Sequence, residues 1–210
     1  MELSDLRREF GKYSLEEEKL PASPLPMFNY WLEKAKNAGI NEFNAMVLST
    51  VGKQGRPSSR IVLLKEVSPS GRLIFYSNYS SKKGRDLDLN PFAALLFFWR
   101  TLERQIRIEG FIEKLSKKKS DNYFYSRPPE SQISAIVSAQ SETIESLADL
   151  KNKREKLLKM PANIKRPENW GGYELKPEMF EFWQGGKHRM HDRIRYRLKK
   201  GDWKMDRLAP

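Results

Sequence analysis

At 210 residues, 39% of them hydrophobic and 31% charged, the chain carries enough apolar side chain for one packed domain, which argues against wholesale disorder. The formal net charge is +12, and the absence of cysteine excludes disulfides and thiolate metal centres. No run of about twenty apolar residues suggests a transmembrane helix, and the charged start MELSDLRREF lacks the apolar segment of a signal peptide, so a soluble, cytoplasmic protein is expected.

In chain order, residues 1 to 43 read as a charged lead-in followed by a helix. PASPLP interrupts the chain, and MFNYWLEKAK then places Phe28, Trp31, Leu32 and Ala35 on one helical face, suited to covering part of a sheet. The stretch from Asn37 to Asn41 ends that helix. From Ala45 to Glu113 short apolar runs alternate with turns: AMVLSTV, SSRIVLLKEV and RLIFYSNY are separated by GKQGRP and SPSG, the pattern of neighbouring antiparallel strands. SKKGRDLDLNP has room for one short helix, and AALLFFW reads as a deeply buried strand. RQIRIEGFIEKL alternates, with Ile106 and Ile108 opposed to Gln105, Arg107 and Glu109.

Helical phasing returns in KKKSDNYFYSRP, PPESQISAIVSAQ and ETIESLADLKNKREKLLKM, with Ser141 as an N-cap and Pro161 as a stop. FEFWQ, HDRIRYRLK and WKMDRL then revert to strands able to complete the sheet begun at Ala45. The expected class is mainly β with peripheral helices. Residues 44 to 210 are expected to form a barrel or sandwich with a helical insertion at about 117 to 160, and residues 1 to 43 to pack on it. Neither a Rossmann glycine fingerprint nor a Walker A sequence is present.

Half of the net charge lies in residues 185 to 210, where nine Lys or Arg face three Asp. Such a balance suits nucleic acid or a phosphorylated small molecule. No zinc-finger spacing, basic region with heptads or RNA-recognition signature accompanies it, and net charge alone leaves the partner open between nucleic acid and a phosphorylated small molecule.

Particular residues refine this. Arg60 and Lys65 flank the apolar run IVLL five residues apart, so a regular strand points them to opposite faces. Ser81, Lys82 and Lys83 follow a strand and open a helix, where free amides and ammonium groups can converge on phosphate; a solvent-facing basic turn has the same composition. Tyr123, Arg127 and Ser131 recur every four residues and would share a face of one helix, although Pro128 and Pro129 favour a break between two helices. His188 and His191 are the only histidines. Gly185-Gly186 before them and RIRYRL after them favour a turn and then a strand. A zinc site wants three protein ligands, and five cations between 187 and 197 oppose one. No metal is expected.

The ordered set RIVLLK, FYSNYSSKKG, NPFAALLFFW, LERQIRIEG, YFYSRPPESQI, AQS, WGGY and FWQGGKHRMHDR, running from LRREF to WKMDRLAP, resembles the pyridoxine (pyridoxamine) 5′-phosphate oxidase family across essentially the whole chain. The resemblance implies a split β-barrel that binds flavin mononucleotide (FMN) non-covalently, as a homodimer with cofactor sites at the subunit interface. It implies cofactor contacts from Arg60, Ile61, Val62, Leu63, Leu64, Lys65, Tyr76, Ser77, Lys82, Lys83, Gln105, Gln140, Ser141, Trp183 and Arg193. It implies substrate contacts from Arg7, Lys65, Tyr123, Arg127, Ser131, Arg189 and His191, the last two at the reacting face. His191 would either accept a proton from an alcohol substrate or only hydrogen-bond it.

The implied reaction is oxidation of pyridoxine or pyridoxamine 5′-phosphate to pyridoxal 5′-phosphate by hydride transfer to FMN, with oxygen as final acceptor and hydrogen peroxide as by-product. Three positions depart from the common pattern: Lys82 where arginine is frequent, Met190 where leucine is usual, and Phe10 where tyrosine is familiar. Lysine keeps the charge but loses the bidentate fork. Alternative readings are a related flavin oxidase acting on another ring compound, such as a phenazine precursor, and a non-catalytic FMN or pyridoxal-phosphate carrier.

Overall fold

The structure is a computed structural model that describes residues 9–12, 14–15, 20–159 and 164–210. Arg7 and Pro161, both singled out above, lie outside the described residues. Helix α1 (Pro24–Asn37) starts on Pro24, whose missing N–H is an orphan donor at a helix start anyway. It turns Met27, Phe28, Trp31 and Ala35 inward, with Leu32 partly buried beside them. Glycine at Gly39, with φ of 68°, lets the chain leave the helix.

Among the described residues nine strands form one antiparallel sheet. The strands are β1 (Ala45–Val51), β2 (Pro57–Leu63), β3 (Glu66–Val67), β4 (Leu73–Asn78), β5 (Phe92–Trp99), β6 (Arg104–Lys114), β7 (Trp170–Gln184), β8 (Asp192–Lys199) and β9 (Asp202–Arg207). Their order is β2-β1-β5-β6-β7-β4-β3, with β8 and then β9 added to the far half of β7. Strands β2 and β3 stand at opposite ends of that order yet follow one another in the chain. Leu64 and Lys65 join them: the Leu64 amide donates to Asn44 O and the Lys65 amide to Ile74 O, which draws the two edges together. The sheet curls into a half-barrel in consequence, the split-barrel form.

Inside it, Phe28 meets Phe97 and Phe180 edge-on at 5.6 and 5.8 Å, and Trp31 meets Phe182 at 5.3 Å. Strand β7 runs the length of β6, and a register shift between Glu109 and Gly110 accommodates Pro177, which has no N–H for the ladder. Gly110 is required at that crossing, because a Cβ there would collide with Lys176 O.

Among the described residues five α-helices lie outside the sheet or across its end: α1, α2 (Lys82–Leu89), α3 (Lys117–Ser126), α4 (Pro129–Val137) and α5 (Leu147–Leu158). Two expectations need correction. Strand β5 is buried on one face only: Leu95, Phe97 and Trp99 point inward, whereas Phe98 is 57% exposed. An apolar run does not reveal whether both faces of a strand are covered. Helix α5 is capped by Ser146, whose side chain accepts from the Ala148 amide at 3.0 Å, and not by Ser141, which lies well upstream with φ of 76°.

Leu48→Ala in the buried centre of β1 should cost about 2–5 kcal/mol in urea unfolding, whereas Leu89→Ala at the exposed end of α2 should stay within about 0.5 kcal/mol. Equal losses would contradict the placement of the core.

Candidate functional site

A cavity of about 710 Å³ opens along the seam where β2 and β4 approach each other. Arg60, Ile61, Val62 and Leu63 of β2 line one side, followed by Lys65. Tyr76, Ser77 and Asn78 of β4 line the next, and Lys83 reaches in from α2. Tyr123, Arg127 and Ser131 close the far wall with Gln140 and Trp170. The opposite-face expectation for Arg60 and Lys65 assumed a regular strand through both residues, and the strand does not continue to Lys65. Strand β2 stops at Leu63, Leu64 buries itself in the core, and the chain bends, so both cations border one cavity.

The helix break at Pro128 is real, with Arg127 in extended backbone between α3 and α4. Two helix ends therefore supply the wall, as the paired prolines suggested. Gln132 holds the junction by donating to Arg127 O at 2.7 Å. The Arg127 guanidinium lies over the Trp170 ring at 4.6 Å, and its Nη1 is buried without a hydrogen-bond partner among the described residues. Burial lowers its pKa, opposed by the Tyr123 phenol. Tyr76 stacks on Tyr123 at 3.7 Å, and burial with the nearby Glu66 carboxylate pushes the Tyr76 phenol up to about 12.

Lys83 donates to Gln140 Oε1 at 2.7 Å and to Ser81 Oγ at 3.1 Å. Burial, reinforced by the neighbouring Arg60 cation, brings its pKa down to about 8. Ser77 donates to the same Gln140 oxygen at 3.3 Å. Arg60 is steered by Leu48 O, Thr50 Oγ1 and Ser58 Oγ, with Asp86 at 3.9 Å. Lys82 takes a different course from Lys83: its half-exposed side chain pairs with the buried Asp86 carboxylate at 3.1 Å, and it does not line the cavity.

The remaining candidates gather elsewhere. Gln105, Trp183 and Arg193 are cross-strand neighbours on β6, β7 and β8, and so share one face of the sheet. Arg193 is fixed on Glu181 at 2.8 Å. The turn from Gly185 to His191 follows, carrying Arg189 and setting the His191 ring 4.7 Å from that of Trp183. Phe10 lies edge-on to both rings, at 5.6 and 5.7 Å. The lead-in segment is tied there by backbone amides: Gly11 and Lys12 donate to Glu103 Oε2 at 2.9 and 3.1 Å, and Leu15 to Asp192 Oδ2 at 3.2 Å. None of this second group lines the cavity, and neither do Leu64 and Ser141. Gly172, opposite Tyr76, and Trp183 are eleven residues apart on β7, roughly 36 Å of strand path at ~3.3 Å per residue.

Sequence reasoning missed Trp170, Asp86 and Glu103. Trp170 stood in the quoted WGGY block, but nothing local signalled that it would carry Arg127. Among the described residues no group of three His, Asp or Glu is placed to hold a metal ion, and no helix is long and apolar enough to cross a membrane.

Comparison with known proteins adds a second line of observation. Residues 32–158 match the family model described as pyridoxamine 5′-phosphate oxidase, and residues 170–210 match a pyridoxine 5′-phosphate oxidase C-terminal dimerisation region. The pyridoxine/pyridoxamine 5′-phosphate oxidase of Mannheimia succiniciproducens is 48% identical over 211 residues, covering 100% of both chains; that of Neisseria meningitidis serogroup B is 47% identical with the same coverage. Among solved structures, PhzG from Burkholderia lata, in complex with tetrahydrophenazine-1-carboxylic acid, superposes with a TM-score of 0.90 at 30% identity, covering 95% of this chain and 99% of its own. A related FMN-binding protein from Nostoc punctiforme, 15% identical over 90% of this chain and 98% of its own, shares the fold with a TM-score of 0.74.

Glu103→Gln should loosen the lead-in segment, because two amides then bond a neutral acceptor in place of a carboxylate. Amide exchange at Gly11 and Lys12 should quicken about tenfold, the equivalent of ~1.4 kcal/mol, while β6 keeps its protection. Unchanged exchange at both amides would remove Glu103 as the anchor.

Proposed function

The chain belongs to the pyridoxamine 5′-phosphate oxidase family, and from that premise we propose that it oxidises pyridoxine 5′-phosphate and pyridoxamine 5′-phosphate to pyridoxal 5′-phosphate with FMN as cofactor and oxygen as final acceptor. The observation that carries this reading is the cavity with two cationic groups, Arg60 with Lys83 and Arg127 beside Tyr123 and Ser131. Two phosphate-bearing molecules bound together require that division. The residues fit: Arg127 Nη1 is a buried donor without an acceptor among the described residues, and Lys83 is a desolvated ammonium held by neutral dipoles.

In this reading Arg60, Lys83 and Ser77 hold the flavin phosphate, and Tyr123, Arg127 and Ser131 clamp the phosphate of the vitamer. FMN, when bound, supplies the hydride acceptor and hands the electrons on to oxygen. Arg189 and His191 orient the pyridine ring, while Phe10 and Trp183 shield the reacting face from water. Arg189 positions charge and is not a base.

The reading also takes two copies of the chain. The Gln105, Trp183, Arg189, His191 and Arg193 group sits toward the far end of β7 from the cavity, and a second copy supplies it across the interface. The match of residues 170–210 to a dimerisation region supports this arrangement. The phenazine-precursor alternative draws on the PhzG likeness. Against it stand the higher identity to the vitamer oxidases over the full chain and the cationic clamp at Arg127.

The decisive experiment is the visible spectrum of the purified protein, followed without oxygen while pyridoxine 5′-phosphate is added. Bleaching of the flavin band, its return in air and formation of pyridoxal 5′-phosphate are expected. A fully loaded protein whose band does not change with either vitamer would overturn the proposal. Arg127→Met should raise KM for the vitamer about tenfold to 150-fold, the loss of ~1.5–3 kcal/mol from a charged hydrogen bond, without emptying the flavin site.

Lys83 sets a pH dependence. Its pKa in the ligand-free fold is about 8, below the ordinary 10.5. The unfolded chain therefore binds the extra proton between those values, and this group's contribution to fold stability rises with pH across that window. Phosphate binding favours the charged form, so FMN affinity should fall as pH climbs above about 8. Lys83→Met should weaken binding and flatten that slope; a titration in which the variant keeps the wild-type slope would assign it to another group.

A further inference from the structure

We propose that His191 works as a neutral hydrogen-bond donor through its Nε2–H, and that it does not take a proton from the substrate hydroxyl. The role in turnover rests on the oxidase reading above; the tautomer rests on the turn alone.

That turn is unusually constrained. His188 and Arg189 both occupy the left-handed region, with φ of 52° and 64°, and Met190 follows at φ −80° and ψ 76°, the geometry of an inverse γ-turn closed by the His191 amide on Arg189 O at 3.0 Å. The Met190 amide donates to Lys187 O at 2.9 Å. The path brings His191 back onto Gly186, whose amide donates to His191 Nδ1 at 3.1 Å. Gly186 is obligatory at this point, since a Cβ would collide with Met190 O.

An amide N–H needs a lone pair to bond to. Nδ1 therefore carries no hydrogen, and the hydrogen of the neutral ring sits on Nε2. Turning the ring over would set a carbon against the amide and lose the bond. The ring is also held in place, tilted 45° against Trp183 and near-perpendicular to Phe10. Nε2 forms no hydrogen bond among the described residues, so its N–H is left for an oxygen acceptor on the bound ligand. A proton taken by this ring would have to enter at Nδ1, where the Gly186 amide already points, and the turn would have to open to admit it.

The two-histidine composition makes a direct test practical. Ring-15N-labelled histidine in the flavin-loaded protein gives two imidazole spin systems, and His188→Asn, a residue tolerant of left-handed backbone, identifies the one from His191. The His191 ring is expected to show hydrogen on Nε2 and none on Nδ1, before and after pyridoxal 5′-phosphate is added. Hydrogen on Nδ1 in place of Nε2, or on both nitrogens in the complex, overturns the proposal.

His191→Gln, which keeps a side-chain donor but no base, should retain turnover of pyridoxine 5′-phosphate within about tenfold, whereas loss of a proton acceptor should cost ~100-fold or more. A loss of that size would count against the donor role. Wild-type protein that oxidises neither vitamer would sink the oxidase reading and leave the nitrogen spectrum to decide the tautomer by itself.

Discussion

Leu64 and Lys65 carry the chain from one edge of the sheet to the other in two residues. Had that link been a long loop, β2 and β3 would be separated edges with exposed backbone groups. Leu64 is buried in the core and the Lys65 amide is bonded to β4, so the edges are held side by side. The cavity is the by-product of that closure. Its polar residues come from strands distant in the sheet order, and Arg60 faces Lys83 only because β2 has been drawn over the start of α2. A change that loosened Leu64 would act on the site through the barrel, without touching a ligand group.

The charge of +12 is distributed with a clear division of labour. Asp86 answers Lys82 and Arg60, Glu181 answers Arg107 and Arg193, and Asp206 answers Arg195 and Arg197. Each carboxylate fixes the direction of two cations. Lys83 and Arg127 are treated otherwise: one is held by an amide and a hydroxyl, the other by an indole face. Neutral partners orient a cation without cancelling it, which leaves its field for an anion arriving from solvent. The cost of keeping them charged is visible in the lowered pKa of both groups.

Much of this was legible in the residues because local chemistry decides it. The alternation of Ile106 and Ile108 marked the inward face of β6, Pro128 and Pro129 marked the helix junction, and the glycines before His188 marked the turn. What escaped depended on distant partners. A five-residue spacing points Arg60 and Lys65 apart only on a regular strand, and only the fold shows that the strand stops at Leu63. The run AALLFFW could not show that one face of β5 is left uncovered. Trp170 and Asp86 acquire meaning from Arg127 and Arg60, which lie 43 and 26 positions away in the chain. Adjacent Lys82 and Lys83 looked equivalent, yet one helical step leaves the first half-exposed against the buried Asp86 carboxylate and sends the second into the cavity.

Strand β7 borders the cavity at one end, through Trp170, and holds Trp183 at the other. It behaves as a measuring rod. In an assembly of two chains, the separation between what each copy contributes and what it receives is set by the number of residues on this one strand. An insertion of a single residue would turn every side chain beyond it to the wrong face, and an insertion of two would restore the faces but shift the spacing by about 7 Å. On the proposed reading of a site shared by two copies, side chains around the ligand are free to vary one at a time while the length of β7 is not, and diversification of chemistry on this scaffold is channelled into substitution at fixed distances.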